Sequence, residues 1–232
     1  MEIFAIGDLH LSGNPPQKTM EIFGDHWKNH WNAIRRNWQD QVRDDDVVLL
    51  AGDTSWAMKL PDALVDLESI RQLPGKKVII RGNHDYWWQT VSKMTQAVRG
   101  EIFFLHNNYY AAGSWAVCGS RGWLCPQEPS FTEEDTPIYQ RELLRLETSL
   151  QAARRAGFAN LLVMLHYPPF TPEPQANPLT ALLAKYQVFR CVYGHLHDES
   201  IKLAFNGSFQ GIDYRLVSCD ALNFSLLRLL SV

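Results

Sequence analysis

Five short apolar runs, each ending in a turn that carries an acid, an amide or a histidine, constrain this chain more than any other feature. Ile3-Phe4-Ala5-Ile6 ends at Gly7-Asp8, Val47 to Ala51 at Gly52-Asp53, and Val78-Ile79-Ile80 at Arg81-Gly82-Asn83; Leu161 to Leu165 ends at His166, and Val188 to Tyr193 at Gly194-His195. Nearly continuous apolar character over so few residues fits strands covered on both faces, as in a parallel sheet held between helices. Helical patterns fill the intervals. Trp27, Trp31, Ile34, Trp38 and Val42 recur at spacings of three and four, which places them on one helix face turned to the sheet. Leu60 to Leu73, Gln89 to Val98 and Tyr139 to Ala156 predict further helices, with Gly157 as the natural stop of the last. Asn206 to Val232 differs: runs around Tyr214 to Val217 and Phe224 to Leu230, separated by turn residues, predict antiparallel strands. Strand and helix in alternation predict an α/β fold, and the absence of repeats or a linker predicts one domain over residues 1–232.

Composition narrows the partners. With 46% hydrophobic and 20% charged residues the chain can build a core and lies outside the disordered class. The net charge of −3 and basic residues that come only in pairs, such as Arg35-Arg36, Lys76-Lys77 and Arg154-Arg155, point away from long nucleic acid. No run approaches the roughly 18 to 20 apolar residues of a membrane span, and the N-terminus lacks the basic and apolar regions of a secretory leader. Cys118, Cys125, Cys191 and Cys219 are scattered, without a CxxC pair, and read as reduced thiols. The expectation is a soluble, cytoplasmic protein with no membrane partner.

Chemistry concentrates at the strand ends. In order they deliver Asp8-Leu9-His10, Gly52-Asp53, Gly82-Asn83-His84-Asp85, His166 and Gly194-His195-Leu196-His197. In open α/β sheets ligands bind beyond the carboxyl ends of the strands, so residues far apart in sequence are carried to one place. Each motif alone has a plainer explanation: Asp8-x-His10 as a turn or cap, Gly52-Asp53 as loop chemistry, Asn83 and Asp85 as turn formers, and His166 as a core histidine. A tight turn has no need of the embedded His84, and five such coincidences in order at strand ends favour a metal site. Carboxylate, imidazole and amide without thiolate is hard to borderline metal chemistry. The donors outnumber the needs of one tetrahedral ion and suit two ions roughly 3.5 to 4 Å apart that share a carboxylate.

This set of motifs resembles the calcineurin-like metallophosphoesterase superfamily, in its small bacterial-type phosphohydrolase branch, over residues 3 to about 197. The resemblance implies the metallo-dependent phosphatase fold, a four-layer αββα sandwich of two mixed β-sheets flanked by helices. It implies that Asp8, His10 and His197 hold one ion, that Asn83, His166 and His195 hold the other, and that Asp53 bridges them. His84 is then the catalytic imidazole, and the ions are divalent cations such as Mn²⁺, Fe or Zn²⁺. The expected reaction is in-line attack of a metal-bridging hydroxide on a phosphoester, a phosphodiester or a small organic phosphate. Protein serine/threonine phosphatases of the superfamily continue Gly-Asp into Asp-Arg-Gly, whereas Thr54-Ser55-Trp56-Ala57 follows here, and they end the next motif in Glu where this chain has Asp85. That reading, a nuclease and an inactive scaffold of the same fold are the rivals. A scaffold is expected to have lost His84 or several ligands. Arg121 and Trp123, in a loop after the apolar run Trp115 to Cys118, are candidate substrate contacts, and the proline-rich Tyr167 to Pro178 is a second candidate wall. Trp56, Trp87, Trp88 and Trp123 are either stacking surfaces or core.

Overall fold

The computed structural model describes residues 1–232. Eleven strands and five α-helices follow one another as β1 (Glu2–Ile6), α1 (His30–Gln41), β2 (Val47–Leu50), α2 (Leu60–Arg71), β3 (Lys76–Ile79), α3 (Val91–Ala97), β4 (Ile102–Phe104), β5 (Tyr110–Ala112), β6 (Trp115–Ser120), α4 (Thr136–Arg155), β7 (Asn160–Leu165), α5 (Pro178–Lys185), β8 (Arg190–Tyr193), β9 (Gly207–Phe209), β10 (Ile212–Leu216) and β11 (Leu227–Ser231). One sheet has the order β11-β1-β2-β3-β4 and the other β5-β6-β7-β8-β10-β9. Both are mixed. In the first only β11 runs antiparallel; in the second β5 and β9 do.

Period two along each central strand builds the layers, because successive side chains point to opposite faces. On β1, Phe4 and Ile6 join the helix-covered core with Trp38 and Leu67, while Ile3 and Ala5 join the core between the sheets. On β7, Leu161, Val163 and Leu165 pack with Leu146 of α4 and Leu183 of α5, while Leu162 and Met164 meet Ile3 and Val192. Every central strand therefore buries both faces, as its unbroken apolar run required. The result is the expected α/β sandwich of helices, sheet, sheet and helices.

The carboxy-terminal expectation holds in part, since β10 pairs antiparallel with β9 and β11 with β1. The two runs predicted as antiparallel strands do not pair with each other: β10 lies parallel to β8 and β11 lies antiparallel to β1, one on each sheet. Local pattern signals strand but not partner. The helix with the tryptophan stripe begins at His30, with Trp27 in a preceding 3₁₀ turn, and α4 stops before Gly157, whose φ of 89° is left-handed. No helix is long and apolar enough to cross a membrane.

Candidate metal centre

Parallel register aligns the strand ends. Ile6 pairs with Leu50 and Leu50 with Ile79, so Gly7-Asp8, Gly52-Asp53 and Gly82-Asn83 leave the first sheet side by side. Main-chain bonds fasten these turns: Asp8 N donates to Gly52 O at 2.9 Å and His10 N to Asp53 O at 2.9 Å. Gly7 N donates to Val217 O at 2.6 Å, which ties in the second sheet, and within that sheet His166 N donates to Arg121 O at 3.1 Å. All of Asp8, His10, Asp53, Asn83, His84, His166, His195 and His197 thereby meet in one place.

Ring nitrogens set the geometry. His166 Nδ1 lies 2.9 Å from Ala51 O, to which it donates, so its Nε2 offers a lone pair. That Nε2 lies 2.6 Å from Asn83 Oδ1, 3.3 Å from His195 Nδ1 and 3.5 Å from Asp53 Oδ2. On the other side His197 Nδ1 donates to Asp220 Oδ1 at 2.9 Å, leaving Nε2 3.3 Å from both His10 Nε2 and Asp8 Oδ1. His10 Nε2 is 3.8 Å from Asp53 Oδ2, so one carboxylate oxygen faces both groups. Where both partners present lone pairs, such close approaches repel unless a proton or a cation lies between them. Two nitrogens bound to one tetrahedral ion at about 2.0 to 2.1 Å sit about 3.3 Å apart, the spacing found on each side. Asp8, His10 and His197 can hold one ion, and Asp8, Asp53 and His166 a second.

The sequence matches the calcineurin-like phosphoesterase family over residues 1–199. The chain belongs to that family. No curated protein matches it. Among solved structures it is similar to a protein of unknown function from Aquifex aeolicus, at 14% identity and a TM-score of 0.52 over 98% of this chain and 95% of the other. It is also similar to the NAD nucleotidase of Haemophilus influenzae, at 13% identity and a TM-score of 0.43, over 88% of this chain and 45% of that longer one.

Burial makes the calcineurin-like site electrostatically tense. Asp53 is pushed up to about 8 by desolvation and by the neighbouring Asp8 carboxylate. Asp8 is held well below the usual carboxylate range: burial opposes its charge, but His197, His166 and His10 outweigh burial. Desolvation lowers His10 and His166, and takes His195 down to about 3, whereas Asp8 and Asp220 overcome desolvation and push His197 up to about 10. Only one of two adjacent buried carboxylates keeps its charge comfortably, here Asp8, with His197 beside it at 3.3 Å. His84 stands at the edge, half-buried, its N donating to Asp53 Oδ1 at 2.8 Å and its ring 4.5 Å from Trp56. Burial, His166 and Lys18 lower it.

Of the supporting residues, Asp220 escaped the sequence reading, while Asp85 was read only as a turn former and Trp56 only as a stacking surface or core. Asp220 orients His197 from the turn after β10, and nothing in its local sequence marks it. Asp85, buried, accepts from Thr54 N, Gly82 N and Trp87 Nε1 at 2.9, 2.7 and 2.9 Å, clamping the Asp53 and Asn83 turns together. Trp56 stacks on His10 at 4.6 Å with Lys18 above it, and Tyr167 packs 4.3 Å from His195. Of the other tryptophans, Trp87 is core and Trp88 packs against it. Trp123 Nε1 donates to Asp135 Oδ1 at 2.8 Å, and the Arg121 guanidinium lies 4.5 Å over its ring. Beside His10 opens a groove of ≈ 820 Å³ walled by residues such as Ser12, Lys18, Trp31 and Arg35.

Proposed function

We propose that the protein hydrolyses phosphoesters, phosphodiesters or small organic phosphates, with two divalent cations such as Mn²⁺, Fe or Zn²⁺. The observation that carries this is the pair of acceptor clusters sharing Asp53 Oδ2, each with ring nitrogens 3.3 Å apart. Asp8, His10 and His197 serve one cation, Asn83, His166 and His195 the other, and Asp53 both. Bound cations supply an activated water near neutral pH and neutralise charge on the phosphate oxygens. The protein's own groups do the rest. Ala51 O and Asp220 fix the tautomers of His166 and His197, so that lone pairs face inward. His84 hydrogen-bonds the phosphoryl oxygens or hands a proton to the leaving group, and an arriving phosphate anion counters the burial that lowers it. Arg121 and Trp123 line the approach. Residues 1–232 act as one domain, which the core drawn from both sheets supports. The four free, buried cysteines support a cytoplasmic setting.

The test is a metal-loaded screen of phosphomonoesters, phosphodiesters, nucleotides and phosphopeptides, with two variants on the best substrate. Asp53→Asn should lose metal, rate and thermal stability together, since bound metal stabilises the fold by mass action. His84→Ala should lose on the order of 10²-fold in kcat with metal content retained. A wild type that binds metal and hydrolyses nothing in the panel would give the lead to a scaffold.

A further inference from the structure

Next to the centre lies a smaller cavity of ≈ 50 Å³ lined by Arg81, His106, Ser120, Arg121, Glu142 and Arg145, among others. It sits where strand ends of both sheets meet α4. Arg81 follows β3 and precedes Gly82-Asn83, His106 follows β4, and Arg121 follows β6. Arg121 O accepts from His166 N at 3.1 Å and Tyr167 N at 3.0 Å, so a guanidinium lining the cavity hangs from main chain fastened to a proposed ligand.

The charges do not balance. Three guanidinium groups meet one carboxylate, that of Glu142, which is buried. Glu142 Oε1 accepts from Arg145 Nη1 at 2.6 Å, while Arg121 Nη2 stays 3.9 Å away, beyond hydrogen-bond reach. Arg81 has no ion pair within the chain. Arg81 Nε, Arg121 Nε and Glu142 Oε2 are buried without a hydrogen-bond partner. A single carboxylate satisfies one guanidinium, and buried charge without a counterion is costly. The ring of Trp123 holds Arg121 in place from one side. Planar guanidinium forks match oxyanions, and the cavity admits one compact group rather than a ring.

We propose that this cavity is a second anion site and that the substrate carries, besides the reacting phosphate, another oxyanion such as a further phosphate or a carboxylate. The site stands on the arginines alone; its use by a substrate rests on the phosphoesterase reading. Full-length, Mn²⁺-loaded wild type and Arg81→Gln are compared on adenosine 5′-monophosphate and adenosine 3′,5′-bisphosphate. Wild type should favour the bisphosphate in kcat/KM by about tenfold or more, the worth of one charge-assisted hydrogen bond. Arg81→Gln should abolish that preference while keeping metal content and the rate on the monophosphate, and Arg81→Lys, which keeps charge but not the fork, should restore part of it. In parallel, calorimetry follows sulfate binding to the full-length chain before and after chelation. One sulfate should bind chelated wild type and the Asp53→Asn variant, but not Arg81→Gln. Arg81-dependent sulfate binding with neither these nucleotides nor any other member of the phosphoester panel hydrolysed would uphold the anion site and sink the phosphoesterase reading. Hydrolysis with an Arg81-independent preference and no sulfate bound after chelation would overturn the anion site and leave that reading intact.

Discussion

His197 offers Nε2 to the centre because its Nδ1–H is held by Asp220 Oδ1, 2.9 Å away. Carboxylates behind a ligating imidazole fix its tautomer and raise its basicity, so Asp220→Asn should weaken metal affinity by about 10- to 100-fold, measured by metal titration with elemental analysis. Unchanged affinity would reduce Asp220 to a loop support. A second residue links stability to pH. His30 is half-buried, its Nε2 donating to Leu9 O at 2.9 Å, and burial lowers it from its ordinary value of 6.5. The unfolded chain therefore takes up that proton first. Stability from this group is full above pH 6.5 and is lost as pH falls from there toward the depressed folded value. Wild-type thermal midpoints should drop between pH 7 and 5, and the drop should be smaller in His30→Gln; parallel curves would remove His30 from the account. At this scale the eight motif residues were legible because each is a rare type at a strand end. Asp220 was not, and Asp85 was read only as a turn former, since their roles arise only when distant turns meet.

Glycines let the strand-end turns approach one another. A Cβ on Gly82 would stand 2.0 Å from Asp53 Oδ1 and 2.3 Å from Asp53 N, and one on Gly194 2.3 Å from Asp8 Oδ2. Neither contact can be relieved without moving a carboxylate of the centre. Gly82→Ala should therefore abolish metal binding and activity although Gly82 ligates nothing, with the fold judged by circular dichroism; a fully metallated, active variant would contradict the close approach. Asp8, His10, Asp53 and His195 themselves adopt positive φ, of 61°, 46°, 49° and 76°. Left-handed backbone at non-glycine residues clusters where surrounding structure forces it, commonly at functional sites. Element identity was readable wherever an apolar run or a helical stripe was long. It failed at β4, β5, β9 and α5, which are short; β10 and β11 were read as strands, but their partners were not, being chosen by the whole fold rather than by local pattern. The segment from Tyr167, read as a proline-rich wall, ends in α5 because Asn177 caps it, accepting from Thr180 N at 3.0 Å, and Pro178 fits a first helical turn.

Across the whole molecule, two sheets share a core in which Ile3, Val47 and Val78 of one meet Val117, Leu162 and Val192 of the other. Packing that dense brings the carboxyl ends of strands from both sheets to one edge, and seven oxygen and nitrogen donors with them. Such a gathering of buried acceptors is unfavourable without positive charge, which makes metal dependence the central claim. The direct measurement is hydrolysis of bis(p-nitrophenyl) phosphate by protein stripped with chelator and then titrated with Mn²⁺, metal content being followed on the same samples. Activity should be absent from the stripped protein and should rise until two equivalents are bound per chain. Equal turnover by protein shown to be metal-free would contradict the account.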